Sequence, residues 1–403
     1  MIFARVFLPF ALGFLFSYIL RVVNAVIAPS LIRDIGIGAG DLGLLTSVNF
    51  FALAAFQLPL GVLLDRYGPR KTESTLLLIA ACGTALFAVA DTLSMLLVGR
   101  ALMGLGTSAC LMAAFTAYAL WLPKDRLPTI NAYQMVAGGL GALIGTTPVE
   151  FLQEAYGWRG VFWVLTILCL FLAALIFVVV PKREKPEAAS ESWGAALAGV
   201  GQVFKHPGFI RLAPVCVLNQ ANYLGIQSLW LGPWFRDVMG FDGRQTADAL
   251  FLVASAMVAS YFVLAWVTSF LNKRGIGTVA IAMAGMILFN LIQLAIVSGV
   301  LPAAVWSWVI WVFAGGFGIA SYAGITQAFS THLVGRVVTG INVLVFMAAF
   351  SVQWGIGEII DLWPRTESGG FSPEGYAWAF GAAASCQVVT TIWFFVFMRR
   401  RAA

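Results

Sequence analysis

Charge is what this sequence has least of. Only 10% of its 403 residues are Asp, Glu, Lys or Arg, and two are histidine, where a soluble globular chain is nearer a quarter charged. A soluble domain of this length is excluded on that ground. The five cysteines, Cys82, Cys110, Cys169, Cys216 and Cys386, all fall inside apolar runs and none forms a close pair. A disulfide framework and a zinc site both lack support, and the cysteines read as small buried hydrophobes. No His/Cys/carboxylate set has metal spacing, so no metal and no cofactor is expected. A nucleophile elbow, a Walker loop and a zinc-protease motif are all missing. An enzyme has no catalytic constellation here, and an ATP-driven pump is excluded in cis. Alternating strands of about 10 residues are also absent, which excludes a β-barrel.

What the chain has in abundance is apolar residues, 61% of the total. Runs of about 20 such residues are long enough to cross the hydrocarbon core as helices. Residues 161–180, VFWVLTILCLFLAALIFVVV, form one with no charge at all. Twelve candidate spans follow, at roughly residues 7–31, 42–64, 76–97, 100–122, 130–152, 161–180, 209–234, 249–271, 277–300, 304–328, 337–360 and 376–397. The first has only Arg5 before it and lacks a small-x-small exit, so it reads as a span and not as a cleaved signal. A multi-pass protein of the plasma membrane, the inner membrane in a bacterium, is expected.

The net charge of +6 is a topological signal here, not an affinity for nucleic acid. Basic residues cluster in DRYGPRK, PKDR, PKREKPE, NKRG, HLVGR and the terminal MRRR. Placing these on one side puts both termini in the cytoplasm, with Arg33, Arg100, Arg159, Arg236, Arg244 and Arg365 as exceptions. The longest polar stretch, PKREKPEAASES and its flanks, divides the spans six and six. The expected organisation is an N-terminal bundle at residues 1–180, a cytoplasmic linker at 181–206 and a C-terminal bundle at 207–403. A short interfacial helix is expected in the linker at 193–204. The halves are weakly alike: Pro29 matches Pro233, Arg33-Asp34 matches Arg236-Asp237, Asp41 matches Asp248, and LLDRYG is echoed by FLNKRG. A parallel six-helix repeat is what a two-bundle transporter with a midplane site requires.

GVLLDRYGPRK, residues 61–71, closes the second span. Gly61 suits a close helix approach. Asp65, at a helix end facing Arg66, Arg70 and Lys71, suits a charge latch across a gate. A solvated loop that only sets topology explains the basic residues alone just as well. The stretch resembles the loop 2–3 signature of the major facilitator superfamily, carried here by Gly61, Leu63, Asp65, Arg66, Gly68, Arg70 and Lys71. GRALMGLG, with Arg100, Gly104 and Gly106, also resembles that superfamily. So do GGLGALIGTTP, with Gly141, Gly145 and Pro148, and YGWRG before span 6. The resemblance implies an all-α membrane protein of 12 transmembrane helices in two pseudo-symmetric six-helix bundles, with N- and C-termini cytoplasmic. It implies a secondary transporter working by alternating access, not an enzyme. Gly61, Asp65, Arg66, Gly68, Arg70 and Arg100 are then the expected gating residues.

FSYILRVVNAVIAPSL, residues 16–31, puts Arg21 near the middle of the first span. An intramembrane arginine costs at least about 2.5–3.5 kcal/mol on insertion scales and cannot shed its proton. Three arrangements offset that cost: bonds to polar neighbours and cavity water, pairing with a distant carboxylate, or a wet cavity where it meets an anionic substrate bidentately. The span resembles that of the anion:cation symporters at Tyr18, Arg21, Asn24, Ala28, Pro29 and Leu31. More distantly it resembles the organophosphate antiporters, which also carry an arginine there. The resemblance implies that Arg21, with Tyr18 and Asn24, binds a small organic anion. Two positions depart from the symporter pattern. Leu20 stands where the acidic partner of the arginine belongs, and Thr107 stands where a glutamate belongs, so the usual proton route lacks both carboxylates. The antiporters' second arginine, in span 7, is also missing, which argues for a monoanion.

Span 7 supplies a polar stripe instead. Asn219, Gln220, Tyr223, Gln227, Trp230 and Trp234 fall within about 100° of one another at 3.6 residues per turn. That suits a pocket for a small polar or aromatic acid; a seam hydrogen-bonding to neighbouring helices is the alternative. Tyr322 and Gln353 are further substrate-binding candidates. If protons are coupled, Glu150 and Glu358 are the candidate carriers, although each also reads as an ordinary interfacial carboxylate. Expected partners are a small anionic solute, the lipid bilayer, and protons or another coupling ion, with no nucleic acid; a monomer is expected. Two rival readings stand beside this one. A proton-coupled exporter of drugs or lipids draws support from Gly141, Gly145 and Pro148. A non-transporting membrane receptor is weakened by the lack of a soluble signalling domain.

Overall fold

A backbone in hydrocarbon must satisfy its own polar groups, and a helix does so within one segment. The computed structural model of this chain is accordingly helical, with no strand among the described residues. Those residues are 2–123, 126–182, 201–327, 329, 333–367 and 369–399. The linker and its expected helix lie mostly outside them; residues 201–205 are helical. In chain order the helices are α1 (Ile2–Ile35), α2 (Ala39–Ala88), α3 (Leu93–Thr107), α4 (Met112–Trp121), α5 (Leu127–Ile144), α6 (Thr147–Val179), α7 (Pro207–Gly225), α8 (Leu231–Asp237), α9 (Gly243–Asn272), α10 (Thr278–Val297), α11 (Val305–Gly316), α12 (Ala320–Thr326), α13 (Val334–Ile360) and α14 (Pro373–Arg399). A π-helical turn, Ile226–Trp230, joins α7 to α8. Nine helical stretches among the described residues are long and apolar enough to cross a membrane. Their outer faces are apolar as well: Ile167 and Val178 of α6 are 66% and 77% exposed.

The basic loop at residues 65–71 divides α2 into two helices. Its 50 residues would make a rod of about 75 Å at 1.5 Å per residue, far longer than a hydrocarbon core of about 30 Å, and the chain leaves helical geometry between the two parts. The break falls at Gly68, with φ 75° and ψ 165°, a region essentially open to glycine alone. Gly68→Ala is therefore expected to cost about 1–3 kcal/mol, read as a lower Tm of the purified protein. The boundary between the third and fourth apolar runs lies at residues 89–92, earlier than hydropathy suggests. Thr92 accepts the Met95 amide at 3.3 Å, and that cap starts α3 several residues before Arg100.

Two compact units result: Met1–Ile37 with Val48–Trp193, and Gly38–Ser47 with Gly194–Ala403. In the first, α1 is packed by α3, α4, α5 and α6. In the second, α7 packs on α13 and α14. Its core there is apolar, with Phe209, Leu212 and Cys216 meeting Met286, Ile341 and Phe394. Asn222 Nδ2 crosslinks α7 to α14, donating to the Ala383 carbonyl at 3.0 Å and to Gln387 Oε1 at 3.1 Å.

The echo between the halves has a structural counterpart inside each unit. Gly68 has φ 75° and its match Gly275 has φ 85°. Asp34, at the end of α1, accepts the Trp158 indole N–H at 2.9 Å. Its match Asp237, at the end of α8, accepts the Tyr376 hydroxyl at 2.6 Å. Each aspartate ties its unit's opening span to α6 or α14 respectively. Arg159, an exception to the charge bias, is neutralised locally: it pairs with Asp91 at 2.9 Å and lies 3.9 Å from Asp34. In the second unit Asp361 caps the start of α2, accepting the Ala39 amide at 3.0 Å and the Gly40 amide at 2.7 Å. Asp361→Ala is expected to lower stability by about 0.5–2 kcal/mol, checked by thermal unfolding in detergent.

Candidate functional site

The surroundings of Arg21 begin with glycine. A Cβ at Gly138 of α5 would lie 2.6 Å from Phe14 Cε1 and 2.9 Å from Tyr18 Cε2, and one at Gly141 would run into the Leu15 carbonyl oxygen. Small residues let the backbones of α1 and α5 meet, and the contact fixes where Tyr18 sits. The Tyr18 ring lies 4.5 Å from Cζ of Arg21. Such a cation–π contact is worth about 0.5–2 kcal/mol, so it offsets only part of the insertion cost. Among the described residues the guanidinium's hydrogen-bonding fork stays uncommitted. Among the described residues Arg21 has no carboxylate at ion-pair distance, and its Nε is buried with no hydrogen-bond partner. Asn24, three residues on, is fully buried.

Arg100 braces the same turn from α3. It is 0% exposed, and its Nη1 donates to the Leu20 carbonyl at 2.8 Å. That bond grips the residue next to Arg21. Of the remaining gating set, Arg70 is engaged within its own unit. Its Nε and Nη2 both donate to the Phe177 carbonyl, the former at 2.8 Å, placing a cation at the C-terminal turn of α6, where the helix dipole favours one. Asp65 and Arg66 are exposed. Among the described residues a Cβ at Gly61 would meet nothing within 4 Å.

The span 7 stripe is interrupted by the π-helical turn Ile226–Trp230. A π turn inserts an extra residue and rotates whatever follows, so a 3.6-residue projection does not hold across residues 219–234. Tyr223 stacks on Trp311 at 6.0 Å. The Trp230 indole donates to the Gln353 carbonyl at 2.9 Å, and Gln353 Nε2 donates back to the Gly225 carbonyl and Ser228 Oγ at 3.1 and 3.0 Å. These bonds lock α13 onto the π turn and satisfy the backbone that it frees. Asn219 is fully buried with neither amide atom partnered among the described residues. Gln227 is buried, Gln220 is half-buried, and Tyr322 donates to Asn342 Oδ1 at 3.1 Å.

Carboxylates separate sharply by burial. Glu358 is exposed and accepts the Trp354 indole N–H at 2.7 Å. Glu150 is buried in the first turn of α6. Sequence reasoning passed over Glu73, which is 0% exposed. Its neighbours Arg70 and Lys71 make it look like loop, yet it falls in register with the buried Leu76, Leu77, Ala80 and Thr84, the spacing of a helix face turned inward. Among the described residues no set of three His, Cys, Asp or Glu could hold a metal ion.

These apolar helices, with small residues at their contacts and charges in their interior, are the architecture of a multi-pass membrane protein. The model of the Major Facilitator Superfamily matches residues 10–360, and the chain belongs to that superfamily. It is a multi-pass transporter-family protein of the bacterial inner membrane. It is similar to the probable sulfoacetate transporter SauU of Cupriavidus necator, at 27% identity over 251 residues, covering 59% of this chain and 58% of that protein. The chain thus spans less than two thirds of that relative's length. It is also similar to the niacin transporter NiaP of Acinetobacter baylyi, at 25% identity over 358 residues, 86% of this chain and 76% of that one. A bacterial homolog of the human lysosomal transporter Spinster, inward-facing and unoccupied, superposes with a TM-score of 0.79 at 16% identity, covering 98% of this chain and 97% of that one. That likeness shows the fold.

Proposed function

We propose that this chain is a secondary transporter of small organic anions of the monocarboxylate type, with twelve membrane crossings, both termini cytoplasmic, working by alternating access. The observation that carries the reading is the uncommitted guanidinium of Arg21. It sits on the Tyr18 ring 4.5 Å away, it cannot lose its charge, and it meets no carboxylate among the described residues. A carboxylate or sulfonate arriving there gains a bidentate, charge-assisted pair in surroundings where charge interactions are stronger than in water. Relatives named for sulfoacetate and niacin transport support an anion as the cargo. Lacking a second arginine in span 7, the site suits one negative charge better than two.

The test is a thermal-shift screen of the purified protein against nicotinate, other monocarboxylates, the dianion sulfoacetate and inorganic phosphate. At least one monoanion is expected to raise Tm, and sulfoacetate and phosphate to raise it less. Indifference to every monoanion would count against the proposal.

A further inference from the structure

Glu73 is a buried carboxyl that nothing in the anion site uses. It lies on α2, five residues beyond the Gly68 kink, and no part of it reaches solvent. Its Oε1 fills the space that the missing side chain of Gly13 leaves on α1, with Ile176 of α6 alongside. Among the described residues the Cys110 thiol is the donor that bears on the carboxyl, and neither oxygen makes a hydrogen bond of ordinary length and angle. Two titratable groups face it: Cys110 from the break between α3 and α4, and Tyr118 from α4. Cys169 of α6 stands behind Cys110, while α1 and α6 themselves present Gly13 and Ile176. Among the described residues no lysine, arginine or histidine acts on Glu73. The Tyr118 hydroxyl is already given to Gln134 Oε1 at 2.6 Å, and Gln134 Nε2 to the Phe10 carbonyl at 3.2 Å. A carboxylate stranded in such a place is costly.

We propose that Glu73 is a proton-binding site of this carrier, holding a proton in the conformation described here and releasing it when the Gly13 face of α1 moves away. Its use for coupling rests on the reading of the chain as an anion transporter. On release the carboxyl O–H bond breaks, the electron pair stays on the carboxylate, and the proton passes to water; protonation in the next half-cycle reverses the step. One proton moving with one monoanion carries no net charge.

Glu73→Gln keeps the shape and neutrality of the protonated acid, so it is expected to fold and melt like the wild type. Infrared difference spectra of the full-length wild type against this variant read the proton without any solute. The expected result is a protonated-acid C=O stretch at neutral pH, lost in the variant and lost from the wild type at alkaline pH. Uptake of labelled nicotinate into proteoliposomes supplies the second measurement. A gradient of one pH unit is expected to drive about tenfold accumulation in the wild type, since one unit is worth 1.36 kcal/mol. In Glu73→Gln that accumulation is expected to vanish while solute-for-solute exchange continues. Absence of an acid band belonging to Glu73 overturns the proposal, and so does gradient-driven accumulation by the variant. If neither probe moves in the wild type, the anion reading has failed separately, and the infrared band alone decides Glu73.

Discussion

Arg21→Gln is expected to weaken binding of a stabilising monocarboxylate by roughly 30-fold to more than a thousandfold. Truncating one partner of a buried, hydrogen-bonded charge pair costs about 2–5 kcal/mol, mostly in the rate of dissociation. The same variant is expected to unfold no more easily than the wild type. Among the described residues Arg21 meets the Tyr18 ring and no carboxylate, and removing a half-buried charge that lacks an ionic partner costs little. Arg21→Lys keeps the charge and loses the fork, so it is expected to fall between the two. Titration calorimetry with nicotinate or the best hit of the thermal screen checks the order. A structural arginine would show the reverse pattern, with stability falling and affinity following it.

The second large effect lies in the α1–α5 contact. A Cβ at Gly141 would collide with the Leu15 carbonyl oxygen, a backbone atom that cannot turn aside. Overpacking costs roughly 1–3 kcal/mol and sometimes more, and Gly141→Ala is expected at or above the top of that range. Gly138→Ala is expected to cost less, because the atoms it meets are ring edges of Phe14 and Tyr18, which can rotate. It should instead weaken anion binding, since Tyr18 carries the Arg21 contact. Gly355→Ala in α13 meets nothing within 4 Å and is expected to be neutral or to gain up to about 1 kcal/mol from helix propensity. Thermal unfolding of the three variants gives the ranking, and an equal loss in all three would refute the packing argument.

Much of this architecture was written in the hydropathy and in a few glycines. The apolar runs became the helices, and the DRYGPRK turn became a kink at Gly68, where only glycine fits. The repeat read from Arg33-Asp34 and Arg236-Asp237 reappears as two aspartates that accept from Trp158 and Tyr376. Local chemistry was harder to see. The π turn at Ile226–Trp230 has no signature in a stretch of apolar and amide residues, and it broke the helical projection of span 7. The bonds of Gln353 to Gly225 and Ser228 meet the need of a freed backbone carbonyl, which no residue pattern announces. Glu73 was hidden by its charged neighbours, because burial in a kinked helix depends on register rather than on local polarity.

The most direct measurement of the central claim pairs a change in ligand charge with a change at residue 21. Affinities of nicotinate and nicotinamide, which differ little in shape but by one charge, are compared in wild type and in Arg21→Gln. The account predicts that the wild type prefers the acid at least about tenfold, 1.4 kcal/mol, and that the variant shows no preference. A preference for the acid that survives the loss of Arg21, or a wild type that binds the amide as well as the acid, would contradict it.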